Sequence, residues 1–207
     1  MASAWARAKL ARAARLLNAK LSGLPPLILM TDEQRLPNPL AAARALPKGA
    51  AIILRHTDAR VRAELAESLH RIARARGLRL LVAGDAALAA RIGCDGLHLP
   101  ENRICEAAHW KALHPSWLIT GAAHSARGIV TAARSRCDAA LFAPVFATRS
   151  HVGREAIGVS RFRLAVTRAP LPVYALGGVN CETIRRLAGA RLAGIAAIEA
   201  LAPAHSS

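Results

Sequence analysis

The sequence predicts a small (β/α)8 barrel with an extra N-terminal helix, and three observations support that class. Eight short apolar runs, at 27–30, 51–54, 79–82, 96–99, 117–120, 139–142, 172–176 and 194–198, alternate with segments of mostly helical periodicity. That is the rhythm of parallel βα units. The runs are continuously apolar rather than alternating, as expected of strands covered on both faces. No Gly-x-Gly-x-x-Gly follows the first run, which sets the open doubly wound sheet second. Eight units in so short a chain, against the roughly 250 residues typical of the fold, require short loops.

Residues 1–23 carry five basic side chains (Arg7, Lys9, Arg12, Arg15, Lys20) and no acidic one. Leu10, Ala13, Ala14, Leu17 and Leu21 recur at helical spacing, predicting an amphipathic helix that needs a surface to cover. The composition is also that of an organelle transit peptide, but an accessory helix over one end of a barrel spanning 24–207 is the simpler reading. Gly23, Pro25 and Pro26 end it and lead into the first strand. Between the second and third strands, Val61, Leu65, Leu69 and Ile72 form one helical stripe.

Of 207 residues 53% are apolar, which excludes disorder for most of the chain. No apolar run approaches the roughly 18 residues needed to cross a bilayer. There are 48 alanines against seven aromatics, favouring helices packed closely against a neighbour. The formal charge is +16, but 25 of 29 basic residues are Arg, a pattern closer to a coding bias than to a designed patch. A basic surface would help an anionic small molecule arrive. Specific nucleic-acid binding is not expected, because few aromatics are available for stacking and none interleaves with a basic cluster. Cys94, Cys105, Cys137 and Cys181 show no zinc or redox spacing, so buried thiols in a reducing cytoplasm are expected.

In a barrel the residues closing each strand converge on one mouth, where the chemistry belongs. These residues include Thr31–Asp32, Arg55–His56, Ala83–Asp85, His98–Pro100, His124–Ser125 and Thr148. The most informative segment is Tyr174-Ala-Leu-Gly-Gly-Val-Asn180, a double glycine that closes the seventh strand before a helix that Asn180 can cap. Without Cβ atoms, the amides of Gly177 and Gly178 can approach an anion closely, and loops after strands seven and eight commonly hold phosphate. Gly177, Gly178, Ala197 and Ile198 are therefore the expected phosphate cradle. Glu199 opposes it, since a carboxylate beside a phosphate repels the ligand unless it points outward.

These strand ends resemble, in order and spacing from about Leu27 to Leu201, the thiamine phosphate synthase/TenI family of small barrels. The resemblance is carried by Asp95-Gly-Leu-His98-Leu99, Gly121-Ala-Ala-His124-Ser125, Pro144-Val-Phe146-Ala-Thr148, Gly177-Gly178-Val179 and Ala193-Gly-Ile-Ala-Ala197-Ile198. It implies a phosphorylated thiazole as ligand. Synthases of the family join a pyrimidine pyrophosphate to a thiazole phosphate with a magnesium ion held by two aspartates. Here the Asn-Asp pair of the family aligns with Ala83-Gly84, Asp85 stands one position late, and the second aspartate falls near Arg103. The family's Gln-x-Arg-x-Lys reads Ile53-Leu54-Arg55-His56-Thr57, and its later lysine is replaced near His151. Those departures resemble the TenI branch, a metal-independent thiazole tautomerase. The resemblance then implies His124 as acid–base, Arg55, Thr148 and His98 as substrate-binding residues, and no cofactor. The alternatives are a synthase in which Asp32, Asp85 or Glu101 replaces the usual magnesium ligands, and a noncatalytic binder of a phosphorylated metabolite. A homodimer stays open at this stage.

Overall fold

The computed structural model describes residues 2–18, 23–148 and 155–203. Eight parallel strands close into a barrel in sequence order: β1 (Leu27–Met30), β2 (Ala51–Leu54), β3 (Arg79–Ala83), β4 (Gly96–Leu99), β5 (Leu118–Ala123), β6 (Ala139–Phe142), β7 (Val173–Ala175) and β8 (Gly194–Ala197). β8 closes on β1, with Leu27 opposite Ile195 and Leu29 opposite Ala197. The fold is therefore the expected (β/α)8 barrel.

Among the described residues seven α-helices accompany the strands: α1 (Ala4–Asn18), α2 (Pro39–Arg44), α3 (Ala59–Arg76), α4 (Ala86–Ile92), α5 (Ala107–Leu113), α6 (Ala126–Arg134) and α7 (Val159–Thr167). Local chemistry sets their starts. The side chains of Asn38, Asp58, Asp85 and Ser125 accept main-chain N–H bonds from the first turns of α2, α3, α4 and α6. After β7 the chain forms only a 3-10 turn, Thr183–Leu187, and after β8 another, Glu199–Leu201. The N-terminal helix packs against β8 and β1, burying Leu10 and Ala14. Leu21 of its expected stripe and His151 lie outside the described residues.

Strand side chains alternate between two cores. Ile28, Ile53, Leu81, Leu118, Leu141 and Tyr174 fill the barrel interior, while Leu29, Ile52, Leu80, Leu97, Ile119 and Phe142 face the helices. Strand five runs to Ala123, three residues beyond the expected 117–120. Gly121, Ala122 and Ala123 have no apolar bulk to announce a strand, yet Ala122 and Ala123 pair with Leu141 and Phe142 of β6. This extension puts His124 directly at the mouth.

Cys94 and Cys137 are buried, and burial pushes both thiols up to about 12. Cys105 is exposed and Cys181 half-buried, so the expectation of buried thiols holds for two of the four. Among the described residues no helix is long and apolar enough to cross a membrane.

Candidate active site

The period-two alternation carries the interior face of each strand up to the mouth. Asp32, Arg55, His98 and His124 all fall on that parity. They line the mouth around two cavities of about 730 and 850 Å³, which share Met30, Arg35, Arg55 and Leu176. The smaller holds the β7 and β8 loops and Thr148; the larger holds Asp32, His56, His98, Glu101 and His124.

Gly177 and Gly178 have φ of 93° and 65°, a region that disfavours a side chain. A Cβ would lie 2.7 Å from Pro144 Cα at Gly177, and 2.7 Å from both the Ala147 carbonyl oxygen and Phe146 Cβ at Gly178. The glycines are thus required for the loop to pass beneath the β6 loop. Asn180 orders the next turn: its Oδ1 accepts the N–H groups of Glu182 and Thr183 at 2.9 Å, and Thr183 Oγ1 donates to the Gly178 carbonyl. The N–H groups of Gly177, Gly178 and Ile198 have no acceptor among the described residues, which leaves them for solvent or ligand. Ala197 is buried and Ile198 half-buried on the same wall.

Glu199 is exposed at the rim of this cavity, opening the 3-10 turn after β8. Its exposure lets water screen the charge, which weakens the objection it raised. Glu199→Gln is expected to tighten binding of a phosphorylated ligand about threefold at low salt, with the gain shrinking as salt screens the charge. Calorimetric titration at two ionic strengths checks it.

At the boundary between the cavities, Asp32 Oδ2 accepts from Arg35 Nη2 at 2.6 Å and from Arg55 Nη2 at 3.0 Å. Two guanidiniums thus share one carboxylate where the cavities meet. Burial alone would raise the Asp32 carboxyl, but the Arg35 guanidinium and main-chain N–H, with Arg55 beyond, bring it down to about 2. Its folded value lies below the unfolded one, so its stabilisation is present above about pH 4 and is lost as pH falls through 2. Asp32→Asn is therefore expected to cost about 1–2 kcal/mol at pH 6, discounted for the half-exposed Arg55. Urea midpoints for the two proteins should converge near pH 2.

The histidines differ in surroundings. His98 is buried, and its Nδ1 lies 2.9 Å from Thr120 Oγ1; burial, then the Arg55 charge, hold it down to about 4. His56 is buried against Thr31 Oγ1 at 3.1 Å, and burial lowers it too. Both are therefore neutral near pH 7. His124 is half-buried, and its Nδ1 lies 3.0 Å from the Ala143 carbonyl. A carbonyl only accepts, so Nδ1 carries the proton and Nε2 is the basic nitrogen of the neutral ring.

The magnesium site implied by the resemblance does not fit these residues. Asp85 caps α4 and pairs with Arg62 at 2.8 Å. Arg103 pairs with Glu106 through two nitrogens and donates Nη1 to the Gly84 carbonyl at 2.8 Å, drawing a cation across the loop after β3. Asp32 is held by two guanidiniums, and Glu101 accepts the His124 N–H at 3.2 Å. Among the described residues no three His, Cys, Asp or Glu side chains gather to hold a metal. A hard dication needs such oxygens, and a guanidinium in their place repels it.

All eight expected site residues line the mouth: Gly177, Gly178, Ala197, Ile198 and Thr148 one cavity, His98 and His124 the other, Arg55 both. Arg35 was not anticipated; its signal was a basic residue three positions after a strand-end aspartate, close enough to pair with it.

The fold and mouth define a (β/α)8-barrel protein whose polar side chains meet at the carboxyl ends of its strands. The chain belongs to the TMP-TENI family, described as thiamine monophosphate synthase, whose model matches residues 27–201. It is 32% identical over 186 residues to a thiamine-phosphate synthase of Chlorobium luteolum, covering 88% of this chain and 87% of that protein. It is also 32% identical over 151 residues to a putative thiamine-phosphate synthase of Geobacter sulfurreducens, with coverage of 72% and 71%. The structure of a thiamine phosphate pyrophosphorylase from Pyrococcus furiosus superposes with a TM-score of 0.68 at 23% identity, over 83% of this chain and 84% of that one, a likeness of fold.

Proposed function

We propose that this chain is a transferase of the thiamine-phosphate-synthase type. It seats a thiazole phosphate with its phosphoryl group on the amides of Gly177, Gly178 and Ile198, and joins it to a pyrimidine delivered as its diphosphate. The observation that carries this reading is the pair of anion seats in one mouth: an amide cradle in one cavity and two guanidiniums at the border of the next. Kinship with proteins named thiamine-phosphate synthase supports it and moves the first expectation, a tautomerase, to second place.

In the reaction the thiazole nitrogen lone pair forms the new C–N bond to the pyrimidine methylene. The methylene–oxygen bond breaks, and its electron pair leaves with diphosphate. Arg55 and Arg35 stand where that developing charge needs stabilisation. No step is assigned to a metal.

The tautomerase reading keeps one specific support, the Ala143 carbonyl that fixes His124 with Nε2 as base; such a ring can take one proton and return another. The two readings separate in one experiment. Thiazole phosphate and pyrimidine diphosphate are incubated with the protein, with magnesium or with chelator, and thiamine phosphate is measured by fluorescence. Thiamine phosphate formed in both arms is expected. No thiamine phosphate in either arm, with His124-dependent isomerisation of a thiazole carboxylate phosphate, would favour the second reading. Neither activity, with thiazole phosphate still bound, would leave a noncatalytic binder.

A further inference from the structure

We propose that α1 is the helical cover of the β8–β1 seam and that its first turn is a working wall of the phosphate cavity, so that affinity for the ligand depends on residues 2–6. This rests on the phosphate reading above and adds to it a segment outside the 27–201 family match.

In a (β/α)8 barrel each helix starts at the mouth, runs back along the strands, and covers the seam between one strand and the next. Beyond β8 the described chain forms only the 3-10 turn Glu199–Leu201, which is too short for that task. The N-terminal helix takes it up with the required direction. At the mouth, the Ala2 N–H donates to the Ala202 carbonyl at 3.3 Å, and Ala2 bridges in parallel to Pro203. At the opposite end, Asn18 Nδ2 donates to the carbonyl of Ala193, just before β8 begins. Between these pins Leu10 and Ala14 are fully buried.

The mouth end is where function enters. Ala2, Ser3 and Ala6 line the same cavity as Gly177, Gly178 and Ile198. Ser3 Oγ accepts the Ala6 N–H at 3.1 Å, and Arg7 Nη1 donates to the Ala2 carbonyl at 2.7 Å, fixing the turn that forms the wall. Small side chains at 2, 3 and 6 leave the cavity open. A ligand touching this wall gains contact only when α1 is docked, so binding and docking stabilise each other.

The test is titration of the intact 207-residue chain with a thiazole phosphate and with inorganic phosphate. Ala6→Glu puts bulk and negative charge into the wall, and at least tenfold weaker binding is expected, with Ala6→Gln intermediate. Trp5→Glu makes the same charge change one residue away, on a side chain 68% exposed and outside the cavity, and should bind within twofold of the unsubstituted protein. Should Ala6→Glu not fold, hydrogen exchange in the unsubstituted protein decides: ligand should slow exchange across residues 7–17. Wild-type affinity in a folded Ala6→Glu, or unchanged exchange in α1 at saturation, overturns the proposal while the phosphate reading stands. If the unsubstituted protein binds neither probe, the phosphate reading falls first and this one with it.

Discussion

Gly178→Val is expected to weaken binding of a thiazole phosphate at least a hundredfold. The new Cβ would sit 2.7 Å from the Ala147 carbonyl oxygen and from Phe146 Cβ, at φ 65°, so the loop must move. Moving it displaces the amides of Gly177 and Gly178 together. Two charge-assisted hydrogen bonds lost at about 1.5 kcal/mol each amount to roughly two powers of ten in affinity. The strain costs a further 1–3 kcal/mol or so of stability. Gly189→Ala separates the two effects, because Gly189 also has positive φ, at 80°, but open space around the missing Cβ. It should lower the unfolding midpoint and leave affinity unchanged. Equal affinity in Gly178→Val and the unsubstituted protein would remove the cradle from the account.

Arg55→Met is expected to lower the rate of thiamine phosphate formation by about 10²–10³-fold while thiazole phosphate binds within threefold of normal. That split follows from position. In the proposed reading the phosphoryl group is held by the β7 and β8 loops, whereas Arg55 stands at the border between the cavities, 3.0 Å from Asp32. Removing one preorganised cation from a developing charge costs about this much in rate. Asp32 keeps Arg35, so the carboxylate stays paired and the mouth keeps its fold. Single-turnover rates with titrated affinity check the split, and a loss of affinity without a loss of rate would place Arg55 in binding alone.

Four of the eight strands are legible in the sequence to the residue, because Leu27–Met30, Ala51–Leu54, Gly96–Leu99 and Ala139–Phe142 are apolar runs with clear ends. Strand five is not, since Gly121-Ala-Ala has the volume of a loop and becomes strand only through pairing with both neighbours. The converging mouth was also legible, because side-chain parity and closure together dictate it. The electrostatic pairing was not. Asp32 reads as a candidate metal ligand until the fold brings Arg35 and Arg55 to the same oxygen. Asp95 and Asp138 each follow a cysteine and stand just before a strand. Their carboxylates accept the N–H groups of Leu80 and Ile119 at 2.8 and 2.7 Å, tying neighbouring strands at their starts. No local spacing distinguishes a strand-tying carboxylate from a catalytic one; the end of the strand on which it falls does.

The two-seat mouth is tested most directly by titrating the protein with a thiazole alcohol and with its phosphate ester at the same pH and salt. The ester is expected to bind at least a hundredfold more tightly, with inorganic phosphate competing against it alone. Equal affinity for alcohol and ester would contradict a phosphate seat on the β7 and β8 loops.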